Sequence, residues 1–342
     1  MQKMKYLPLA LLLSVLSSCS SVRYMSVETY NPADVTFPQA VRRILIVDNA
    51  LVPSQVPFKA DISQKTDTVM IASGDVATVF CRALGEMMVE SPCFEDVLLY
   101  DGRFRTDSLQ WRDAMLTPAE VSRLCDGQDV DAVVSLDRLL FGMNESIQSV
   151  DDDGSAGLFL DVTVSGTLRT YLPGRRAPLD VAYLSDTIYS CIVPGLFDPF
   201  TPEDIRHALT AAFEGLAEKY HTRFVPHWSE DVRWYYVSHA ARSKEAAAYM
   251  AAGRWTHAAA VWSPLYDAAA SQEKKARIAS NLALCCEMSG DFPKALEWAE
   301  LACRHLTGNP DANERMLKLQ QGYLAVLAYR IMAEKKLKEQ VN

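Results

Sequence analysis

The sequence predicts an α+β chain: a mixed-sheet α/β domain with helices packed on it, followed by an all-helical domain of repeated helix pairs. Three observations predict it. Between about residues 40 and 225, strand-like apolar runs are interleaved with segments of helical periodicity. From about residue 239 alanine rises while glycine and proline become sparse. Within that second stretch, two segments whose glycines lie 37 residues apart share one pattern of small and aromatic residues.

The chain opens with two lysines before Tyr6, then an apolar run from Leu7 to Leu16 broken only by Pro8 and Ser14, then Leu16-Ser17-Ser18-Cys19. A basic start, a short apolar stretch and small residues are the parts of a secretory signal. The run is far short of the roughly 20 residues a membrane-spanning helix needs. The Leu16–Cys19 block resembles the bacterial lipobox, and the resemblance implies removal of residues 1–18 and acylation of Cys19. Each buried methylene contributes about 0.8 kcal/mol to membrane attachment, so several acyl chains on Cys19 would hold a soluble body at a bilayer. Residues 19–40 are polar, carry Pro32 and Pro38, and read as a tether.

The α/β domain is expected over 41–228. Ile44-Leu45-Ile46-Val47 is a continuous apolar run, the mark of a strand buried on both faces. A long connection with Pro53 and Pro57 reaches about residue 74, long enough to carry function or conceal a hairpin. Val76, Val79, Phe80, Ala83, Leu84, Met87 and Met88 recur at helical spacing. Asp96 to Tyr100 reads as a second strand. Thr117-Pro118-Ala119-Glu120 starts a helix that ends near Gly127: the hydroxyl caps an orphan N–H, proline suits the first turn, and glutamate reaches back. Asp131 to Phe141 supplies a third strand. Alternation at Leu158, Leu160, Val162, Val164 and Leu168, then Leu179 to Cys191 beyond the Pro173-Gly174 turn, predicts an antiparallel pair. Thr201-Pro202-Glu203-Asp204 repeats the capping chemistry for a helix to about Tyr220. The pieces Arg43–Val47 and Val130–Ser135 give this domain a resemblance to the TolB N-terminal domain and the curli-secretion lipoprotein, which implies a small α/β accessory module of the envelope.

Residues 229–342 form the predicted helical domain. Gly253-Arg254-Trp255 is followed by Ala258 and Trp262, and Gly290-Asp291-Phe292 by Ala295 and Ala299. Ala246 and Tyr249 precede the first glycine at the offsets at which Ala283 and Cys286 precede the second. Small residues there let paired helices approach and larger ones fill the seam. The pattern resembles a pair of tetratricopeptide repeats over about 240–305, whose period is about 34 residues, with a capping helix over about 313–338. The whole layout, including Arg223–Trp228 and Arg233–Tyr236 at the domain junction, resembles tetratricopeptide-bearing lipoproteins of Bacteroidetes-type bacteria, a family with no established activity. In those bacteria exported surface lipoproteins carry acidic residues just after the lipidated cysteine. Here Ser20-Ser21-Val22-Arg23 follows, which implies retention on the periplasmic side of the outer membrane.

Composition excludes some classes of function. The chain of 342 residues has net charge −9, and removing Lys3 and Lys5 with the signal leaves 32 bases against 43 acids, or −11. Such a body has no electrostatic reason to seek nucleic acid. Excluding Cys19, seven cysteines remain, without a CxxC; Cys81 and Cys93 could pair in an oxidising periplasm, and most of the others sit in apolar stretches and read as small buried hydrophobes. There is no G-x-S-x-G, H-E-x-x-H, G-x-G-x-x-G or Walker loop. The six histidines have no metal-ligand spacing, and Asp151-Asp152-Asp153-Gly154 lacks the alternating ligands and closing glutamate of a calcium loop. Trp228, Trp234, Tyr235 and Tyr236 fall at the domain junction and are expected to pack the two domains together, with a binding platform as the alternative reading.

The expectation is therefore a non-enzymatic, lipid-anchored scaffold without metal or cofactor, its α/β domain near the membrane and its repeat helices offering a groove to an envelope protein or peptide. Tyr249, Trp255, Trp262 and Asn281 are the candidate partner-binding residues, with Trp255 and Trp262 seven apart on one helical face also suited to repeat core. The alternative is a sensor of a small ligand or envelope polymer, its pocket built by the α/β domain and the 50–74 connection. An unrecognised hydrolase would need a nucleophile such as Ser165 or Ser185 near an acid.

Overall fold

A computed structural model describes residues 21–62, 65–72, 75–102, 105, 109, 111–149, 156–191, 201–307 and 314–341. In chain order the first elements are β1 (Ser21–Asn31), β2 (Arg43–Asp48), β3 (Gln55–Ile62), β4 (Lys65–Ala72), α1 (Val76–Val89), β5 (Asp96–Leu99), α2 (Pro118–Gln128) and β6 (Ala132–Ser149). They are followed by β7 (Ala156–Tyr171), β8 (Asp180–Cys191), α3 (Pro202–His221) and β9 (His227–Val237). The helices α4 (Ala241–Ala251), α5 (Trp255–Asp267), α6 (Gln272–Met288), α7 (Phe292–Thr307) and α8 (Glu314–Val341) complete the chain. The class is the expected α+β: a mixed sheet with helices, then a helical region.

The chain divides into two compact units, one running from Ala33 to His227 together with the end of the chain from Gln340, and the other from Trp228 to Glu339 together with the segment up to Pro32. In the first unit β2 lies between β5 and β6 and is parallel to both. β6 is the long central strand, carrying β2 and then β3 on one edge and antiparallel β7 on the other, with β8 beyond β7. Ile44 and Ile46 face a core shared with α1 and α3, through Phe80, Leu84, Phe213 and Leu216, while Leu45 and Val47 face α2 through Val121 and Leu124. The continuous apolar run of β2 is thus buried on both faces. Both threonine-led helix starts form full capping boxes, Thr117 with Glu120 and Thr201 with Asp204.

The 50–74 connection holds a hairpin, one of its two expected readings: β3–β4, which extends the sheet from β6. Three expectations need correction. The 19–40 segment is not a plain tether, because Ser21–Asn31 is β1, which pairs with β9 in a two-stranded ribbon. The junction aromatics pack inside the helical unit: Trp234 lies against Tyr323 at 5.6 Å, Tyr235 joins Ala246 and Trp262, and Tyr236 joins Ala276 and Leu306, while Trp228 is exposed. Cys81 and Cys93 are free thiols.

β6 carries a β-bulge. Leu136 pairs with Leu168 but Arg138 pairs with Thr167, leaving Asp137 as the extra residue. Its carboxylate is fully buried and accepts from Ser135 Oγ at 2.6 Å, Tyr171 OH at 2.7 Å, Arg169 Nη1 at 2.8 Å and Asn49 Nδ2 at 3.2 Å. Asn49 also donates to the Ala114 carbonyl, Tyr171 OH accepts from Leu116 N–H, and Arg169 pairs with Asp113, so the cluster fastens the 113–116 segment to the sheet. Burial pushes the Asp137 pKa up, against the four donors that pull it down. Asp113 is held below the usual carboxylate range by hydrogen bonding from Arg169.

Two outcomes are expected. Asp137→Ala leaves Arg169 facing an empty buried socket and lowers unfolding free energy by about 3–5 kcal/mol in urea titrations. The Asp113 pairing stabilises the fold above the ordinary carboxyl pKa of about 3.9 and is lost as pH falls through its depressed value. Hydrogen-exchange protection factors across 113–116, corrected for the intrinsic pH dependence of amide exchange, should therefore fall on acidification below about pH 4 in the native protein, and Asp113→Asn should already show low protection at neutral pH.

Candidate functional site

The helical unit contains a cavity of about 400 Å³. Its lining comes from the end of β9 and the start of α4 (Tyr236, Ser238, His239, Ala240, Ser243), from α5 and its exit (Trp262, Leu265, Ala268, Ala269), and from the start of α6 (Ser271, Glu273, Lys274, Arg277, Ile278, Asn281). Each piece has a local reason to be there. Ser243 Oγ accepts from Ser238 N–H at 2.8 Å, closing the chain from strand into α4. Ser271 caps α6 by accepting from Lys274 N–H. Gly253 and Gly290 hold φ of +68° and +79° between consecutive helices, a conformation that costs a side-chain-bearing residue stability.

The cavity lining is mixed. Trp262, Leu265 and Ile278 supply large apolar side chains, and the Trp262 ring is fixed by an N–H donated to Met250 Sδ at 3.3 Å. Ser243 and Asn281 are polar and buried. Arg277 pairs with Glu273 and its guanidinium lies 5.9 Å from the centre of the Tyr236 ring. Burial pushes the Tyr236 phenol pKa up. With Lys274 also in the lining, the fixed charges of Glu273, Lys274 and Arg277 sum to a small positive excess in a body of net charge −9.

The structure separates the four candidate residues. Trp262 and Asn281 come together at this cavity, but both are nearly fully buried and already engaged. Asn281 Oδ1 accepts from Tyr236 N–H at 2.8 Å and its Nδ2 donates to the Tyr236 carbonyl at 2.7 Å, so its main task is to satisfy the free edge of β9. Tyr249 and Trp255 do not line the cavity. They are half-buried near the α4–α5 turn, where Tyr249 sits 5.6 Å from the His257 ring and 5.0 Å from the Arg254 guanidinium. Tyr236, one of the junction aromatics, also lines the cavity, whereas sequence reasoning missed His239, Leu265, Lys274 and Arg277. The one available signal was the Lys274–Arg277 spacing, which places two cations on one face of the first turns of α6.

Cys19 and the Asp151–Gly154 turn lie outside the described residues. Among the described residues no cluster of three or more His, Cys, Asp or Glu side chains is arranged to hold a metal ion. Burial raises the thiol of Cys81, and those of Cys125 to about 11 and Cys285 to about 12, which keeps them protonated and poorly nucleophilic. Ser165 and Ser185 face each other across β7 and β8 on an exposed surface, and Arg138 donates to the Ser165 hydroxyl at 3.5 Å. Among the described residues no helix is long and apolar enough to cross a membrane.

A mixed α/β unit followed by a unit of helix hairpins with a cavity is the class that fold and site define. Residues 41–236, more than half of the chain, match the model of a domain of unknown function, DUF8603, and the chain belongs to that family. Residues 244–329 match a second domain of unknown function, DUF6340, which takes in the helices around the cavity. No curated protein matches the sequence.

Asn281→Ala should leave the Tyr236 N–H and carbonyl buried without partners, at a cost of about 2–4 kcal/mol in denaturant unfolding. Asn281→Asp should fall in the same range, since a carboxylate cannot donate to the carbonyl.

Proposed function

We propose that this protein is a lipid-anchored envelope scaffold, attached through acylated Cys19 and facing the periplasm, whose helical unit binds an envelope protein or peptide. The observation that carries this reading is the cavity of about 400 Å³, lined by the apolar side chains of Trp262, Leu265 and Ile278 and by Lys274 together with the Arg277–Glu273 pair. Such a site, with one net positive charge, suits an extended or helical segment that inserts an apolar side chain and presents an acidic group to Lys274. The paired positive-φ glycines and the alanines buried at equivalent places, Ala258 and Ala295, support a tetratricopeptide-like relation between the two hairpins. Anchoring by acyl chains needs no spanning helix, and the lipobox-like Leu16–Cys19 block supports it.

The test is crosslinking in intact cells followed by purification of the native protein with its anchor. One discrete envelope partner should be recovered from the native protein and reduced at least tenfold with Leu265→Arg or Lys274→Glu, both folding normally by circular dichroism. Recovery of the protein alone, or a partner indifferent to both changes, would sink the scaffold reading. Cys19→Ala should abolish acyl labelling whichever way the partner test falls.

A further inference from the structure

The β1–β9 ribbon leaves an apolar face uncovered. In β9, Trp228, Glu230 and Val232 are exposed while His227, Ser229 and Asp231 are half-buried. In β1, Val22, Tyr24, Ser26 and Glu28 are exposed while Val27 and Thr29 are buried. Contacts between the strands show that these even-numbered residues share one face: Ser26 Oγ donates to Glu230, and the Tyr30 and Trp228 rings lie 5.0 Å apart. On that face Tyr24 is 68%, Trp228 67%, Val232 63% and Val22 41% exposed. Four large apolar side chains so exposed on a two-stranded ribbon mark a contact surface.

The sequence just before the ribbon selects the occupant. Cys19 stands two residues before Ser21, the first residue of β1, so the chain can separate them by no more than about 7 Å even if fully extended. If Cys19 carries acyl chains, the ribbon starts at the lipid headgroups, where amphipathic aromatic rings are favoured. We propose that the Val22, Tyr24, Trp228 and Val232 face of the ribbon lies in the membrane interface, making a second, non-covalent contact beside the acyl chains. The proposal rests on the acylation of Cys19 put forward above. Glu28 and Glu230 share the face, so the attraction comes from burial of apolar surface rather than from anionic lipid, and it is insensitive to salt.

The experiment places the full chain, exported with its own signal, on phosphatidylcholine vesicles whose acyl chains carry bromine, a short-range quencher of tryptophan fluorescence. Intact mass of the N-terminal peptide reports acylation separately. A quenched component should appear, vanish in Trp228→Phe, persist at high salt, and remain in Trp111→Phe, since Trp111 is equally exposed but belongs to the other unit. Tyr24→Ser with Val232→Ser should weaken the quenching of Trp228 severalfold without altering the circular dichroism. An acylated protein whose quenching is absent, or is the same in Trp228→Phe, overturns the membrane face while leaving the anchor intact. Trp228 shielded from aqueous acrylamide yet unquenched by bromolipid overturns it in favour of a protein contact. An unacylated chain refutes the anchor, and bromolipid quenching of Trp228 then still decides the face.

Discussion

The α/β unit depends on one extra residue in its central strand. Before the bulge, Val134 and Leu136 face the core shared with α1 and α3; after it, Leu139, Phe141 and Met143 do so. Side chains alternate with a period of two, so without Asp137 the second half of β6 would turn its apolar residues to the wrong face. The bulge in turn needs a buried carboxylate to be tolerable, and the four donors of Ser135, Asn49, Arg169 and Tyr171 make it so. Opposite the bulge only glycine fits: a Cβ on Gly166 would lie 2.7 Å from the Arg138 carbonyl oxygen. Because the strand stays in register with its core over 18 residues, it can carry β2 and then β3 along one edge and β7 along the other.

The helical unit meets a similar problem by other means. Its seams are built on alanine, with Ala246, Ala258, Ala283, Ala295 and Ala299 fully buried, so helices approach closely but each contact buries little area. Polar side chains then set position. Arg233 of β9 pairs with Glu287 of α6 at 2.9 Å, and Tyr323 of α8 donates to the same carboxylate at 2.7 Å. Gln320 of α8 donates to Ser280 at 2.6 Å, and Asn281 clamps the backbone of Tyr236. Such a buried polar network costs desolvation but specifies one arrangement, which uniform alanine seams do not.

What was legible in the sequence follows from the range of each interaction. Capping boxes at Thr117 and Thr201 complete themselves within three residues, and the apolar run of β2 reports its own two-sided burial, so these elements were readable. β1 and β9 were not. Their pairing joins segments about 200 residues apart, as in the Thr29–Ser229 contact, and β1 offers only Val27 and Thr29 as fully buried residues. The hairpin β3–β4 was foreseen as one of two options for a long connection. The cavity was hidden because Lys274 and Arg277 look like any solvated helix face, and only the fold brings them to one lining with Trp262 and Leu265.

The pairing of β1 changes how the proposed anchor should be understood. An N-terminal tether leading into the α/β domain would bring that domain to the membrane and leave the helices free. Instead, the segment after Cys19 enters β1, and β1 belongs to the unit that bears the cavity. The strand is bonded side by side to β9, whose next residues, Tyr236 to Ala240, line the cavity before α4 begins. The proposed lipid attachment and the cavity thus fall in one compact body, joined by a strand whose buried Arg233 is locked to Glu287. In the proposed scaffold, the α/β unit is the part without a lipid connection of its own, and a partner in the cavity would be held by the same body that carries the anchor.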